Sequence, residues 1–181
     1  MPVVTAGLVL VGLLGLVNLL FSVGVVRRLR EHTKVLDQLG GGSGQLVLGP
    51  GETVAGFRAE TVDGEPVSVR TGDGPTLVGF FALGCQPCAT KLPSFVEYAR
   101  EHPGGRDRVL AAVLGPDEEA ATSYVADLIG LARVVRGTEG DPLPTAFGVR
   151  GFPAFALVGT DGVVKASGTD LGEVSAAAVH A

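Results

Sequence analysis

The sequence predicts an α/β fold, a mixed sheet with helices on both faces, preceded by one N-terminal transmembrane helix. Three observations point there. Val3 to Val26 contains no charged residue, and Pro75–Leu83 and Val109–Leu114 are near-continuous apolar runs of strand length. Segments with helical spacing alternate with those runs until a final hairpin. A strand covered on both faces loses polar–apolar alternation, as parallel strands between helices do. Alternation that ends in a hairpin makes the sheet mixed.

The elements follow in chain order. At about 1.5 Å per residue, Val3–Val26 as a helix crosses a hydrocarbon core of roughly 30 Å. No Lys or Arg precedes it and no small-residue cleavage site closes it, so a retained anchor over residues 1–30 fits better than a cleaved signal peptide. Arg27, Arg28, Arg30 and Lys34 follow the run, and by the positive-inside rule they favour a cytoplasmic C-terminal domain. Residues 31–50 are expected to hold a juxtamembrane helix and a linker, in which Gly40-Gly41-Gly42-Ser43-Gly44 is a flexible tether. Residues 51–181 then suffice for one hydrophobic core.

Within that domain, Phe57–Val62 and Pro66–Val69 predict a hairpin joined by a two-residue turn at Asp63-Gly64. Pro75–Leu83 is the expected central strand. From Gln86 to about Glu101 the spacing of Leu92, Phe95, Val96 and Ala99 is helical, with Pro93 inside predicting a kink. Val109–Leu114 is a second buried strand. Asp117, Glu118 and Glu119 put negative charge in the first turn of a helix reaching about Ile129. Ala132–Val135 is a short strand, Asp141-Pro142 opens a helical turn through Phe147, and Ala154–Val158 is a further strand. Asp161-Gly162 turns into Val163–Ala166, and the tail from Leu171 is weakly helical.

The formal charge of −5 and the lack of a Lys/Arg cluster on the domain argue against a nucleic-acid partner. Only two cysteines occur, three positions apart in Gly84-Cys85-Gln86-Pro87-Cys88, too close to staple distant segments. A buried strand hands over to a helix there, which puts Cys85 at a helix N-terminus. Partial positive charge and free N–H groups at that place favour a thiolate, the form that attacks disulfides. Cys88, one turn on, is positioned to resolve the mixed disulfide. Pro87 has no N–H to lose in a first turn. The alternatives are half a zinc or copper site, or two incidental thiols. His32, His102 and His180 are scattered, so the further ligands that zinc needs are not at chelating spacing.

From about Val54 to Gly168 the chain resembles the thioredoxin-like superfamily, and more narrowly its TlpA/ResA-like membrane-anchored thiol–disulfide oxidoreductases, to which the MauD-type maturation factor is similar. The resemblance rests on the apolar strand running into Cys85-Gln86-Pro87-Cys88, on Pro93 five residues later, and on the stretch from Phe147 through Gly151-Phe152-Pro153 to Asp161-Gly162. It implies a thioredoxin-like mixed sheet, a cis-proline at Pro153 opposite the active-site disulfide, and an outward-turned Phe152 backbone for an extended client strand. Phe152, Pro153, Gln86 and Pro87 are the implied substrate-binding residues and Cys85 and Cys88 the catalytic ones. The implied partners are a protein-disulfide client, a thiol electron donor and the membrane, with no cofactor and no metal. The resemblance also implies an extracytoplasmic domain, against the flank charges.

Two positions depart from the pattern: Gly84 stands where Trp is common, and Gly79 where a buried acid is common, six residues before the first cysteine. Without that acid, water or another group must take the Cys88 proton during resolution. Lys91 occupies the place of a glutamate three residues after the second cysteine, where it would lower a nearby thiol's pKa if close. No histidine lies between the cysteines, so extreme thiolate stabilisation is not indicated. The expected activity is therefore reduction or isomerisation of client disulfides during maturation. A non-catalytic thioredoxin-fold binding module and a dithiol metal carrier are the competing readings.

Overall fold

The structure is a computed structural model that describes residues 45–68, 74–172 and 174, together with 12, 14 and 15. Almost all of Val3–Val26, on which the transmembrane expectation falls, lies outside those residues, as do the tether and most of the tail after Leu171. Among the described residues no helix is long and apolar enough to cross a membrane.

The chain divides into two compact units, and the second, Gln45–Ala181, holds every strand found among the described residues. It takes in Gln45–Pro50 as well as the expected 51–181, because Val47 is buried and Leu48 N–H donates to Phe147 O at 2.9 Å. In order it contains β1 (Arg58–Glu60), β2 (Pro66–Ser68), β3 (Thr76–Ala82), α1 (Gln86–Glu101), a 3-10 turn (Gly105–Arg108), β4 (Val109–Leu114), α2 (Glu118–Leu128), β5 (Arg133–Gly137), α3 (Pro142–Ala146), β6 (Ala154–Val158) and β7 (Val164–Gly168). The main sheet has the order β5-β4-β3-β6-β7. β3, β4 and β5 are parallel, β6 pairs antiparallel with β3, and β7 pairs antiparallel with β6. β3 is thus the central strand.

Both faces of this sheet are buried, which is why β3, β4 and β6 are apolar at successive positions. Leu77, Phe81, Val109, Val113, Phe155 and Leu157 face one cluster, closed by Leu92, Phe95 and Ala99 of α1 and Leu128 of α2. Val78, Phe80, Leu110, Ala112 and Ala156 face the other, closed by Phe57 and Val67 of the hairpin and Leu143 and Phe147 around α3. Each buried phenyl ring removes enough apolar surface to contribute about 1.5–3 kcal/mol. The helix α1 continues through Pro93 without a break; Pro93 and Ala89 are exposed, so the carbonyl that loses its partner meets water.

One turn corrects the sequence expectation. Thr61 N–H pairs with Glu65 O and Gly64 N–H with Thr61 O, at 2.9 and 3.0 Å, so the β1–β2 loop has three residues, Val62-Asp63-Gly64, and not two. Gly159 to Val163 repeats the pattern, with both bonds at 2.9 Å. A three-residue hairpin needs a positive φ only at its last position, and there Gly64 and Gly162 have φ of 79° and 76°. Asp63 is therefore a loop residue, not half of a two-residue turn.

Candidate active site

The central strand delivers the cysteines. β3 ends at Ala82, Cys85 N–H turns back to Ala82 O at 3.4 Å, and α1 starts at Gln86. Gly84, between them, has φ of 76°, a conformation L side chains rarely adopt. A Cβ there would meet nothing within 4 Å, so it is the positive φ, not a lack of room, that favours glycine over an aromatic residue at 84.

Cys85 is the N-cap of α1, and its Sγ accepts the Cys88 N–H at 3.2 Å. The two cysteines are joined in a disulfide, with Cα atoms 5.2 Å apart. Their surroundings differ. Cys85 is half-buried, between the exposed Gly84 and Gln86, whereas Cys88 has 0% of its surface exposed and belongs to the core cluster with Phe81, Phe95 and Phe155. No acidic residue occupies the first turn of α1, so nothing there opposes an anion at Cys85.

The second wall is the loop before β6. The Phe152–Pro153 peptide is cis, Pro153 is buried and Phe152 is half-buried. Phe152 O lies 3.8 Å from Cys85 Sγ. Among the described residues no hydrogen bond uses the Phe152 N–H. The structure thus brings together Cys85, Cys88, Phe152 and Pro153, and leaves Gln86 and Pro87 exposed at the mouth.

Lys91 is engaged by a carboxylate. It forms an ion pair with Asp170, just after β7, and that ammonium holds the Asp170 carboxyl below its usual range, helped by the Gly172 N–H. Local spacing cannot show this pairing, because the partners stand 79 positions apart. Gly79 is likewise more than a missing acid. A Cβ there would stand 2.6 and 2.9 Å from Cε2 and Cζ of Phe95, so the ring of α1 fills the space a side chain would take. Tyr98 and Tyr124 pack against the Cys88 cluster, and burial raises both phenols, so neither accepts a proton near neutral pH. Among the described residues no group of three potential metal ligands exists.

The class of protein follows from this placement: a redox dithiol raised on a helix beside the central strand of a thioredoxin-like domain marks a thiol–disulfide oxidoreductase. The comparisons agree, and the chain belongs to the thioredoxin family. It is 31% identical over 77 residues, 42% of its own length and 70% of the other's, to the thioredoxin of Alicyclobacillus acidocaldarius subsp. acidocaldarius. No protein-family model matches. Its fold is similar to the thioredoxin domain of a thiol-disulfide oxidoreductase from Bacteroides vulgatus, with TM-score 0.56, 18% identity, and 74% of this chain and 97% of that one covered. It is also similar to StoA from Bacillus subtilis, with TM-score 0.52, 20% identity and 66% and 90% covered. A secreted Mycobacterium tuberculosis disulfide oxidoreductase homologous to Escherichia coli DsbE gives TM-score 0.56, 20% identity and 69% and 96% covered.

Proposed function

We propose that the protein is a membrane-tethered reductase or isomerase of client-protein disulfides, of the TlpA/ResA-like kind, with Cys85 as nucleophile and Cys88 as resolving thiol. The observation that carries the assignment is the difference in access: Cys85 is half-buried and caps α1, while Cys88 is enclosed. In the dithiol form, the Cys85 thiolate attacks one client sulfur and expels the other as thiolate. Cys88 then loses its proton and attacks Cys85 Sγ, which releases the client's second thiolate and leaves the Cys85–Cys88 disulfide. Two electrons pass to the client, and an external thiol donor must return them. The charge-free run Val3–Val26 would hold the domain near its client.

The test uses the full chain. Cys88→Ala should accumulate a mixed disulfide through Cys85, and Cys85→Ala should lose insulin-disulfide reduction; equal rates for Cys85→Ala and the parent refute the reading. The tether is tested separately: the full chain should stay with membranes through alkaline extraction, and release of all of it would refute the anchor.

A further inference from the structure

The segment Gln45–Leu48 lies against the loop that leads to the site. Leu46 O accepts the Arg150 N–H at 2.8 Å, and Leu48 N–H donates to Phe147 O at 2.9 Å. The two bonds fasten Gln45–Leu48 alongside the loop that leads to Phe152. Next to Phe152 stands Gly151, and a Cβ there would lie 2.8 and 3.0 Å from Cδ2 and Cδ1 of Leu46. The isobutyl group of Leu46 therefore takes the volume that a side chain at 151 would fill. Leu46 and Phe152 are both half-buried and both pack on the same apolar cluster. Phe152 continues to Cys85, its carbonyl 3.8 Å from the sulfur.

We infer that Leu46 is a specificity-determining residue whose side chain forms, with Phe152, an apolar wall that receives a hydrophobic side chain flanking the reactive cysteine of the client. This rests on the oxidoreductase reading above. An extended chain advances about 3.3 Å per residue, and Leu46 lies against Gly151, the residue before Phe152, so the wall faces the client residues next to the sulfur under attack. The client this favours is an extended segment with an apolar neighbour to its cysteine. A polar neighbour would be desolvated there without a partner.

The test uses the full chain with dithiothreitol as electron donor and three substrates: two peptides identical but for Leu or Ser beside the disulfide cysteine, and a small aliphatic disulfide. The parent should reduce the Leu peptide with kcat/KM about 10-fold above the Ser peptide. Leu46→Ser should abolish that preference and leave the rates on the Ser peptide and the small disulfide within about 2-fold. Leu46→Met should keep the preference, which guards against a Leu46→Ser chain that folds poorly. The inference is overturned if the parent shows no preference, if Leu46→Ser retains it, or if Leu46→Ser slows all three substrates alike while Leu46→Met does not. A parent that reduces none of the three defeats the oxidoreductase reading itself, and this inference with it.

Discussion

The two ends of α1 carry the same backbone dipole with opposite sign, and they treat their ionisable residues differently. At the N-terminus, Cys85 is half-buried and accepts the Cys88 N–H, so the field that favours an anion acts on a sulfur that is only partly withdrawn from solvent. At the C-terminus, His102 is the C-cap, where the dipole favours a cation, yet its pKa is lowered. Burial is the larger cause, and the Arg108 guanidinium adds to it; the Pro75 carbonyl pulls the other way without a hydrogen bond to either ring nitrogen. A helix end contributes up to about 2 kcal/mol to a charge, and burying an unpaired charge costs several times that. Exposure therefore decides which end of the helix is chemically active.

The largest effects are expected where α1 is seated between those ends. Phe95 meets Phe81 edge to face at 5.2 Å and stacks on Phe155 at 5.8 Å, over the bare Cα of Gly79. Phe95→Ala should destabilise the domain by about 3–5 kcal/mol. Gly79→Ala forces a methyl group against the ring and should cost about 1–3 kcal/mol. Because both changes act on one space, the cost of Gly79→Ala should shrink in a Phe95→Leu background. Denaturant unfolding of the singles and the double measures this; strict additivity would mean that the ring does not occupy the site of the absent side chain.

Gly79 also shows where the sequence stops being legible. The bounds of α1 were readable because Cys88, Leu92, Phe95 and Ala99 share one face and Cys85 follows directly on a strand. The dithiol was readable because its spacing is local, one helical turn, whereas the cis bond at Pro153 was expected only through the resemblance, since a proline at a strand entrance is as readily trans. What replaces the acid at 79 was not readable, since a ring supplied from 16 positions away leaves no spacing signal. Leu46 fails the same way, looking like the end of a tether until its contact with Gly151 is seen. The three-residue loop at Asp63-Gly64 was missed because both loop lengths use the same dipeptide, and only the register distinguishes them.

A smaller effect is expected from His102, and it tests the claim that burial outweighs the dipole. The folded pKa lies below the ordinary 6.5, so the unfolded chain takes up its proton first as pH falls. Stability from this group is complete above about pH 6.5 and is lost as pH drops from there towards the folded pKa. The depressed carboxyls Glu118, Asp161 and Asp170 have ordinary values of 4.5, 3.8 and 3.8. Their stabilising contributions are lost only at lower pH, so the window from pH 7.5 to 5.5 isolates the histidine. The thermal midpoint should fall across that window, and His102→Gln should flatten the fall. An unchanged slope in the variant would leave the dipole's preference for a cation unopposed.

The smallest effect should come from Lys91, a cation placed in the N-terminal half of α1 where the dipole disfavours it. Its side chain is 37% exposed and that of Asp170 is 52% exposed, so solvent screens the pair and its contribution to folding is slight. Asp170→Asn should shift the thermal midpoint by no more than about 2 °C. Its value lies in a second measurement, the pH profile of Cys85 alkylation. If the carboxylate merely neutralises a surface cation, the profile stays in place; if Asp170 keeps the Lys91 charge from acting on the dithiol, Asp170→Asn moves the profile to lower pH, as a freed cation stabilises the thiolate. An unmoved profile leaves the half-buried N-cap position as the source of Cys85 reactivity, and a moved one would make the exposed pair a regulator of the active end of the helix.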